Sequence, residues 1–345
     1  MSKFLLIILI LVLFTPFIFG ETPDEPEIVE AEQEIEEPAE QVQVVRIDIG
    51  PINNPDTLWG IFLQNPDTET AVDILIKLGN IGRRNRTVID NLNNYLMGIN
   101  LLFKSGSSVN YTVVSACISA IMELGDNSSF PALFSVIYAG YPEVIASEAH
   151  GALEVIPGNL HQFLLNVIRN NPPDEKFAAF RTGLNTRKLT VSQQGQLAEV
   201  ALEQGLAVTD EDNIDLTAMR YAAVLSLTSL RWTRANALAI RHYYRVQSDY
   251  LQNAVSKERF IQAITCLGAV GNSDAALVLG LQLGLINART ESTGAFDPDI
   301  TMALVQALGL IGYNAAFDHL LYVSNLSYPE DIQAAAREAV ARLKW

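Results

Sequence analysis

The chain has 345 residues, of which 49% are hydrophobic and 8% aromatic, and its formal net charge is −16. Residues 51–345 contain 28 acidic and 21 basic residues, so this long stretch is mildly acidic. Nucleic-acid binding requires a basic surface. A DNA- or RNA-binding protein is therefore a poor match, and no nucleic-acid partner is expected.

Residues 1–20 have the pattern of a secretory signal peptide. Lys3 supplies the only charge, an apolar run extends from Phe4 to Phe14, and Gly20 provides a small residue at the end. The apolar stretch is shorter than the ~20 residues that a membrane-spanning helix needs. We therefore expect cleavage after Gly20 and a periplasmic or secreted protein. The alternative is an uncleaved signal anchor that holds the protein to the membrane through residues 1–20.

Residues 21–50 are predicted to form an acidic, disordered tether. Residues 21–45 contain ten acidic residues and no basic one, with three prolines among them. A segment of this composition cannot bury a core, and its charges repel one another. The favoured interpretation is a spacer, and the alternative is an acidic bait for a basic partner.

The next part of the chain, residues 51–345, contains a repeated helical stripe. In its clearest copy, apolar or small residues follow one another at spacings of 3, 1, 3, 1 and 3, which places them on one face of a helix. Pro298 precedes this copy, and Gly312 follows it, where a left-handed C-cap is expected. The copy consists of Ile300, Ala303, Leu304, Ala307, Leu308 and Ile311.

Weaker copies of this stripe recur along the chain. Their first positions fall near residues 70, 113, 145, 177, 219, 259, 300 and 332, at intervals of 32 to 43 residues. Such a period indicates an α-solenoid, because one helix pair cannot bury its apolar face without a neighbouring pair. We predict an all-α fold in which residues 51–345 form one superhelical domain of about eight antiparallel helix-pair repeats. Residues 209–213 and 288–296 are predicted to be loops between helices.

Three copies of the stripe end in the pattern Leu-Gly-x-x-Gly, which resembles HEAT repeats, particularly the short bacterial HEAT-like kind. The pattern is carried by Leu78–Gly82, Leu267–Gly271 and Leu308–Gly312. The resemblance implies a binding scaffold whose second helices line a concave surface. Armadillo and tetratricopeptide arrays are the competing solenoids, but the consensus tryptophan and tyrosine of tetratricopeptide repeats are missing.

The sequence contains no recognisable catalytic constellation. None of the histidines, His150, His161, His242 and His319, forms a pair spaced to bind metal on a helix. A Gly-x-Ser-x-Gly motif, a phosphate-binding glycine loop and a Cys-x-x-Cys motif are also absent from the sequence. We therefore predict a protein that is not an enzyme and needs neither cofactor nor metal.

The two cysteines lie on the stripes of an early and a late repeat, at Cys117 and Cys266. Because each solenoid repeat contacts only its neighbours, these residues cannot approach within the ~7 Å between Cα atoms that a disulfide requires. We predict two buried free thiols.

One basic and aromatic cluster stands out in this acidic chain. Arginine and aromatic side chains are enriched in binding hot spots. Arg234, Arg241 and Arg245 are spaced 7 and 4 residues apart, which predicts one shared face on the second helix of a repeat. The structural alternative is a solvated face whose arginines pair with the acidic residues 210–212. The predicted partner-binding residues are Arg231, Trp232, Arg234, Arg241, Tyr244 and Arg245.

These features favour a non-catalytic, extracytoplasmic HEAT-repeat scaffold that binds a protein or peptide partner. One alternative is a membrane-tethered structural protein of the cell envelope, with residues 1–20 kept as the anchor. Another is an accessory subunit of an enzyme, because short bacterial HEAT-like repeats also occur in bilin lyase subunits. The export signal argues against that last role.

Overall fold

The computed structural model describes residues 48–208 and 213–344, and their secondary structure is helical apart from one isolated bridge. The all-α prediction is therefore confirmed for this part of the chain. The predicted signal peptide and nearly all of the predicted tether lie outside the described residues. Three 3-10 turns, Asn127–Ser129, Thr233–Ala235 and Asn314–Ala316, precede α5, α11 and α15. The α-helices of the described part are α1 Pro55–Phe62, α2 Thr68–Ile81, α3 Arg86–Lys104, α4 Tyr111–Leu124, α5 Phe130–Ala139, α6 Glu143–Val155, α7 Leu160–Asn170, α8 Pro173–Asn185, α9 Val191–Leu206, α10 Ile214–Leu230, α11 Asn236–Leu251, α12 Lys257–Val270, α13 Ser273–Thr293, α14 Pro298–Ile311, α15 Phe317–Asn325 and α16 Glu330–Ala341.

Many of these helices begin at a side chain that satisfies the first free backbone N–H groups. Nine of the described helices have an Asn, Asp or Thr residue at the N-cap whose side-chain oxygen accepts from the first turn. At α14, for example, Asp297 accepts from the N–H groups of Asp299 and Ile300 at 3.0 and 3.2 Å. Each such cap stabilises its helix by about 1 kcal/mol. Short polar residues therefore mark the helix starts in the sequence.

The eight predicted stripes lie on the even-numbered helices, α2 to α16. In α14 every stripe residue is buried except Ala303, which is half-buried. The even-numbered helices pack on one another in chain order: α2 on α4, α4 on α6, α8 on α10, α10 on α12, α12 on α14, and α14 on α16. The apolar face that the sequence predicts is therefore the face that neighbouring helices cover.

Successive even-numbered helices can approach closely because glycine and alanine lie where they cross. Asn110 at the start of α4 donates from Nδ2 to Thr68 Oγ1 at the start of α2, at 2.8 Å. Near the other end of the same pair, a Cβ on Gly79 would lie 3.0 Å from the Cα of Ala120. The two helices therefore run in the same direction. The first glycine of the Leu-Gly-x-x-Gly pattern is the crossing point.

The final glycine of the same pattern ends its helix in two different ways. Gly312 caps α14 with a φ of 69°, so the predicted left-handed cap is confirmed there. Gly82 and Gly271 end α2 and α12 with φ values of −83° and −74°. A Cβ on Gly82 would lie 2.6 Å from the carbonyl oxygen of Leu78. Close packing, rather than a left-handed backbone, therefore requires glycine at that position.

The series of even-numbered helices has one departure, because direct contact between α6 and α8 is marginal. The end of α6 is tied instead to the connection that follows α8. Glu154 accepts from Thr186 Oγ1 at 3.0 Å and from the backbone N–H of Arg187 at 2.8 Å. Lys188 Nζ donates to the carbonyl oxygen of Leu153 at 3.2 Å. Away from these bonds, a cavity of about 250 Å³ lies between α5, α6, α8 and the start of α10.

The loop predicted at residues 288–296 is mostly helix, because α13 continues to Thr293. A buried polar network holds this last part of α13 in place. Asn287 Nδ2 donates to the carbonyl oxygen of His319 at 3.0 Å, and Tyr328 Oη donates to Asn287 Oδ1 at 2.9 Å. Thr290 Oγ1 lies 2.9 Å from the same Tyr328 hydroxyl. Thr290, which lies inside the predicted loop, is therefore one of the residues that join α13 to the elements after it.

Candidate partner-binding surface

The first half of the predicted cluster binds back onto α9. Trp232 Nε1 donates to Glu199 Oε2 at 2.8 Å, and a Cβ on Gly195 would lie 2.5 Å from the Trp232 ring. The Arg234 guanidinium lies 5.5 Å from the centroid of the Trp232 ring and 3.7 Å from Glu199 Oε2. These contacts fix the connection between α10 and α11. Trp232 and Arg234 therefore have a structural role.

Arg231 differs from these two neighbours, because its side chain is exposed and its backbone is left-handed, with a φ of 51°. It caps α10 at the position that glycine occupies in Gly312. An L-residue in this conformation is disfavoured by about 1–2 kcal/mol. The arginine thus occupies a position where glycine would be less strained.

The second half of the cluster lies on α11. Arg241 and Tyr244 are exposed, whereas Arg245 is half-buried and donates from Nη1 to the carbonyl oxygen of Val208. Arg234 belongs to the 3-10 turn before α11 and contacts Glu199, so the predicted shared face of three arginines is wrong. The helix begins only at residue 236, which breaks the helical register that the spacing assumed. The acidic residues 210–212 of the alternative interpretation lie outside the described residues.

A buried cationic and aromatic group lies beneath this part of α11. Arg220 is fully buried, and its guanidinium lies 4.7 Å from the centroid of the Tyr221 ring. The Arg259 guanidinium lies 4.1 Å from the same ring, and His242 meets it edge-on at 5.7 Å between centroids. Burial first, and then the charges of Arg220, Arg245 and Arg259, lower the pKa of His242 to about 3. His242 is therefore neutral at physiological pH. The sequence pattern did not predict this cluster of buried arginine, tyrosine and histidine side chains.

A row of exposed leucines lies on α13, which contacts α11. Leu277, Leu281 and Leu285 are 53%, 63% and 70% exposed. A groove of about 640 Å³ begins at the row, between α13 and α15, with His319 and Tyr322 in its wall. Leucine at every second position from 277 to 285 covers two opposite faces of a helix, which is the sequence signal for this row.

A glycine and two carboxylates also line the groove. A Cβ on Gly284 would lie 2.9 Å from His319 Nδ1, so glycine allows the imidazole to lie against α13. Tyr322 Oη donates to Glu291 Oε1 at 2.6 Å, and Asp318 also lines the groove. The surface therefore combines an apolar row with two carboxylates, one on α13 and one on α15.

The described residues hold no metal-ligand cluster, and their two cysteines are buried. Across residues 48–208 and 213–344, no group of three His, Cys, Asp or Glu residues is placed to hold a metal ion, and no helix is long and apolar enough to cross a membrane. Cys117 and Cys266 are free and buried, as predicted. Burial raises the pKa of the Cys117 thiol to about 12 and that of Cys266 to about 11. Both thiols are therefore protonated at neutral pH and poor nucleophiles.

Comparison with known proteins adds no assignment to this surface. No protein-family model matches the chain, and no curated protein sequence matches it. The resemblance to HEAT repeats therefore stays a prediction.

Proposed function

We propose that residues 51–345 form a HEAT-like α-solenoid and that the exported protein is a non-catalytic scaffold for a protein partner. The packing of even-numbered helices in chain order, interrupted between α6 and α8, supports the solenoid, since neighbouring repeats contact one another in such a fold. The sequence pattern of residues 1–20 supports export. The row of exposed leucines on α13 is the observation that carries the binding role.

This row needs a partner because α13 is apolar on both of its faces. Leu279 and Leu283 are fully buried in the fold, while Leu277, Leu281 and Leu285 on the other side meet solvent. A helix that is apolar all round is normally covered on all sides. Large exposed apolar patches with a polar rim mark interaction sites.

The partner that fits this surface is an amphipathic helix with basic residues beside its apolar face. Its apolar side chains would cover the leucine row and enter the groove next to Tyr322. Its basic residues would face Glu291 and Asp318. Charge complementarity therefore selects the orientation, and apolar burial supplies most of the affinity.

We include Arg241 and Tyr244 of α11 in this surface. Gln247 Nε2 donates to Gln282 Oε1 at 2.7 Å, which joins α11 to α13 beside the leucine row. Arg241 and Tyr244 are exposed on α11, so a partner that covers the row can also contact them. Their substitution removes only exposed side chains.

The test is a crosslinking pull-down from the native envelope fraction with mass spectrometry, comparing wild type with Leu281→Glu. We expect the variant to lose a specific partner, because it places a carboxylate in the apolar row. The free energy of unfolding should change by less than about 0.5 kcal/mol, because the side chain is exposed. The N-terminal peptide of the captured protein shows in the same run whether residues 1–20 are cleaved.

The matched control is Leu310→Glu, which changes an equally apolar and 56% exposed residue on α14. It should capture the partner as wild type does. Equal capture by all three proteins would place the interaction elsewhere and remove α13 from the proposal. Crosslinked partner peptides without an apolar face and basic residues would rule out the proposed class of partner.

A further inference from the structure

A cavity lies beside the interruption in the series of even-numbered helices. It has a volume of about 250 Å³ and lies between α5, α6, α8 and the start of α10. Pockets for drug-sized molecules measure roughly 300–1,000 Å³, so this cavity suits a smaller ligand. It shares none of its lining residues with the groove beside α13, and a ligand bound here would be independent of the proposed partner.

One face of α8 lines this cavity. Its lining residues follow one another at spacings of 3, 1, 3, 1 and 3, as expected for a single helical face. Asp174 and Arg181 are two turns apart on this face, which corresponds to about 10 Å along the helix axis. Ile137 at the end of α5 adds an apolar side chain. The lining residues of α8 are Asp174, Phe177, Ala178, Arg181, Thr182 and Asn185.

Two residues of opposite charge line the cavity without an ion-pairing partner. Arg181 is exposed, and its guanidinium lies 5.7 Å from the centroid of the Phe177 ring. Asp215, in the first turn of α10, is half-buried. Among the described residues, neither Arg181 nor Asp215 forms an ion pair, with each other or with a third residue. Asp174 differs, because Lys104 Nζ lies 3.0 Å from its Oδ2 and offsets its charge.

His150 and Asn185 add neutral polar groups to the lining. His150 is half-buried on α6, and burial lowers its pKa below the usual value, while Glu154 raises this pKa and Arg181 lowers it further. The imidazole is therefore neutral at physiological pH, and Arg181 is the only cation of the lining. The exposed amide of Asn185 offers both hydrogen-bond donors and an acceptor.

We propose that this cavity binds a free amino acid in its zwitterionic form. The carboxylate of the ligand accepts hydrogen bonds from the guanidinium of Arg181, and its ammonium donates to the carboxylate of Asp215. Phe177 and Ile137 contact its aliphatic part. A ligand with a single charge would leave either Arg181 or Asp215 unpaired, whereas a zwitterion pairs with both. The two charged groups of the ligand lie either on one carbon, as in an α-amino acid, or at opposite ends of a methylene chain, as in an ω-amino acid.

The experiment follows the ring C–H signals of the histidines by NMR at pH 7.5, since the chain has only four histidines. His150→Gln assigns the signal of His150. The probes are the isomers 4-aminobutyrate and L-2-aminobutyrate, compared with butyrate and 1-aminobutane, which each carry one charge. We expect saturable binding of at least one isomer, with a shift of the His150 signal. Butyrate and 1-aminobutane should bind at least about tenfold more weakly, because each forms only one of the two charge-assisted contacts.

The two isomers distinguish the sources of the ligand. Tighter binding of 4-aminobutyrate identifies an ω-amino acid, and tighter binding of L-2-aminobutyrate identifies an α-amino acid. If neither isomer binds more tightly than butyrate and 1-aminobutane, the proposal is wrong. A response of His319 without one of His150 would also overturn it, because His319 lines the groove beside α13.

Two variants and a matched control locate the binding. Arg181→Gln and Asp215→Asn each remove one charge while keeping a polar side chain, and each should weaken binding of the preferred isomer at least about tenfold. Arg169→Gln removes an exposed arginine at the end of α7, outside this cavity, and should bind as wild type does. Circular dichroism checks that all three variants fold. Wild-type affinity in Arg181→Gln, or an equal loss in Arg169→Gln, would refute the site.

Discussion

Two regions of the fold differ in the side chains that their packed helices bury. Between α12 and α14 the contact is made by small apolar groups, and a Cβ on Gly268 would lie 2.8 Å from the Cα of Ala307. Between α10, α11 and α12 the contact includes Arg220, Tyr221 and His242, which are all buried. The first region is stabilised by backbones in close approach. The second must keep charged groups out of water.

The difference shows which part of the fold tolerates change. The stability of a close backbone contact depends on the volume of the side chains at the crossing and does not depend on pH. The stability of a buried histidine beside three arginines depends on pH, because a proton on the imidazole would add a positive charge next to theirs. The two regions should therefore respond to different perturbations, and three substitutions test this.

The largest expected effect is that of Gly268→Ala in the first region. The added methyl group would overlap the backbone of Ala307, so we expect a loss of about 2 kcal/mol in the free energy of unfolding. Urea unfolding monitored by circular dichroism measures it. Gly151→Ala is the same chemical change at an open helical position and should raise stability by about 0.5–1 kcal/mol. Effects of the same sign at both sites would contradict the role assigned to the crossing glycine.

The second substitution, His242→Phe, tests the charged region through its pH dependence. The pKa of His242 is about 3 in the folded chain and 6.5 in the unfolded chain. Below about pH 6.5 the unfolded chain therefore binds a proton that the folded chain does not, and stability falls by up to about 1.4 kcal/mol per pH unit. The phenylalanine variant lacks this dependence, and it breaks no hydrogen bond because neither ring nitrogen of His242 has a partner.

The measurement is urea unfolding of both proteins between pH 7.5 and 4.5. We expect the wild type to lose stability relative to His242→Phe as the pH falls, and the two curves to run parallel above pH 7. His150→Gln is the control, because burial lowers the pKa of this half-buried histidine less strongly. Parallel curves over the whole range would show that His242 takes up a proton in the folded state.

The smallest expected effect is that of Arg231→Gly at the end of α10, in the second region. Glycine relieves the left-handed backbone, so stability should rise by about 1 kcal/mol. Arg84, with a φ of 67°, provides the same change at a connection far from α11 in sequence. If Arg231 is kept for binding, Arg231→Gly weakens partner capture while Arg84→Gly does not. A loss of stability in Arg231→Gly would indicate a structural contact of the arginine.

The sequence predicts the first region well because its signal is local. Ile300 and Leu304 repeat at helical spacing, and Gly312 marks the end of the helix. The buried residues of the second region cannot be predicted from a local sequence pattern. Nothing local distinguishes the buried Arg220 from the exposed Arg241, because burial depends on which helices pack over each residue.

The residues of the candidate site also differ in whether a local sequence signal or distant packing determines their role. Arg241 and Tyr244 could be selected by residue type, whereas the role of Trp232 depends on Glu199 and Gly195, more than 30 residues away in sequence. The open side of α13 has a sequence signal in its alternating leucines.

The two buried thiols can report how often the helices around them open locally. Cys117 on α4 and Cys266 on α12 are both shielded, and their raised pKa values leave almost no thiolate at neutral pH. A thiol reagent can therefore modify each one only during the moments when its own helix opens. The rate of modification at each cysteine therefore measures the frequency of local opening around its helix. In an oxidising compartment the same rates set how long the chain escapes covalent dimerisation.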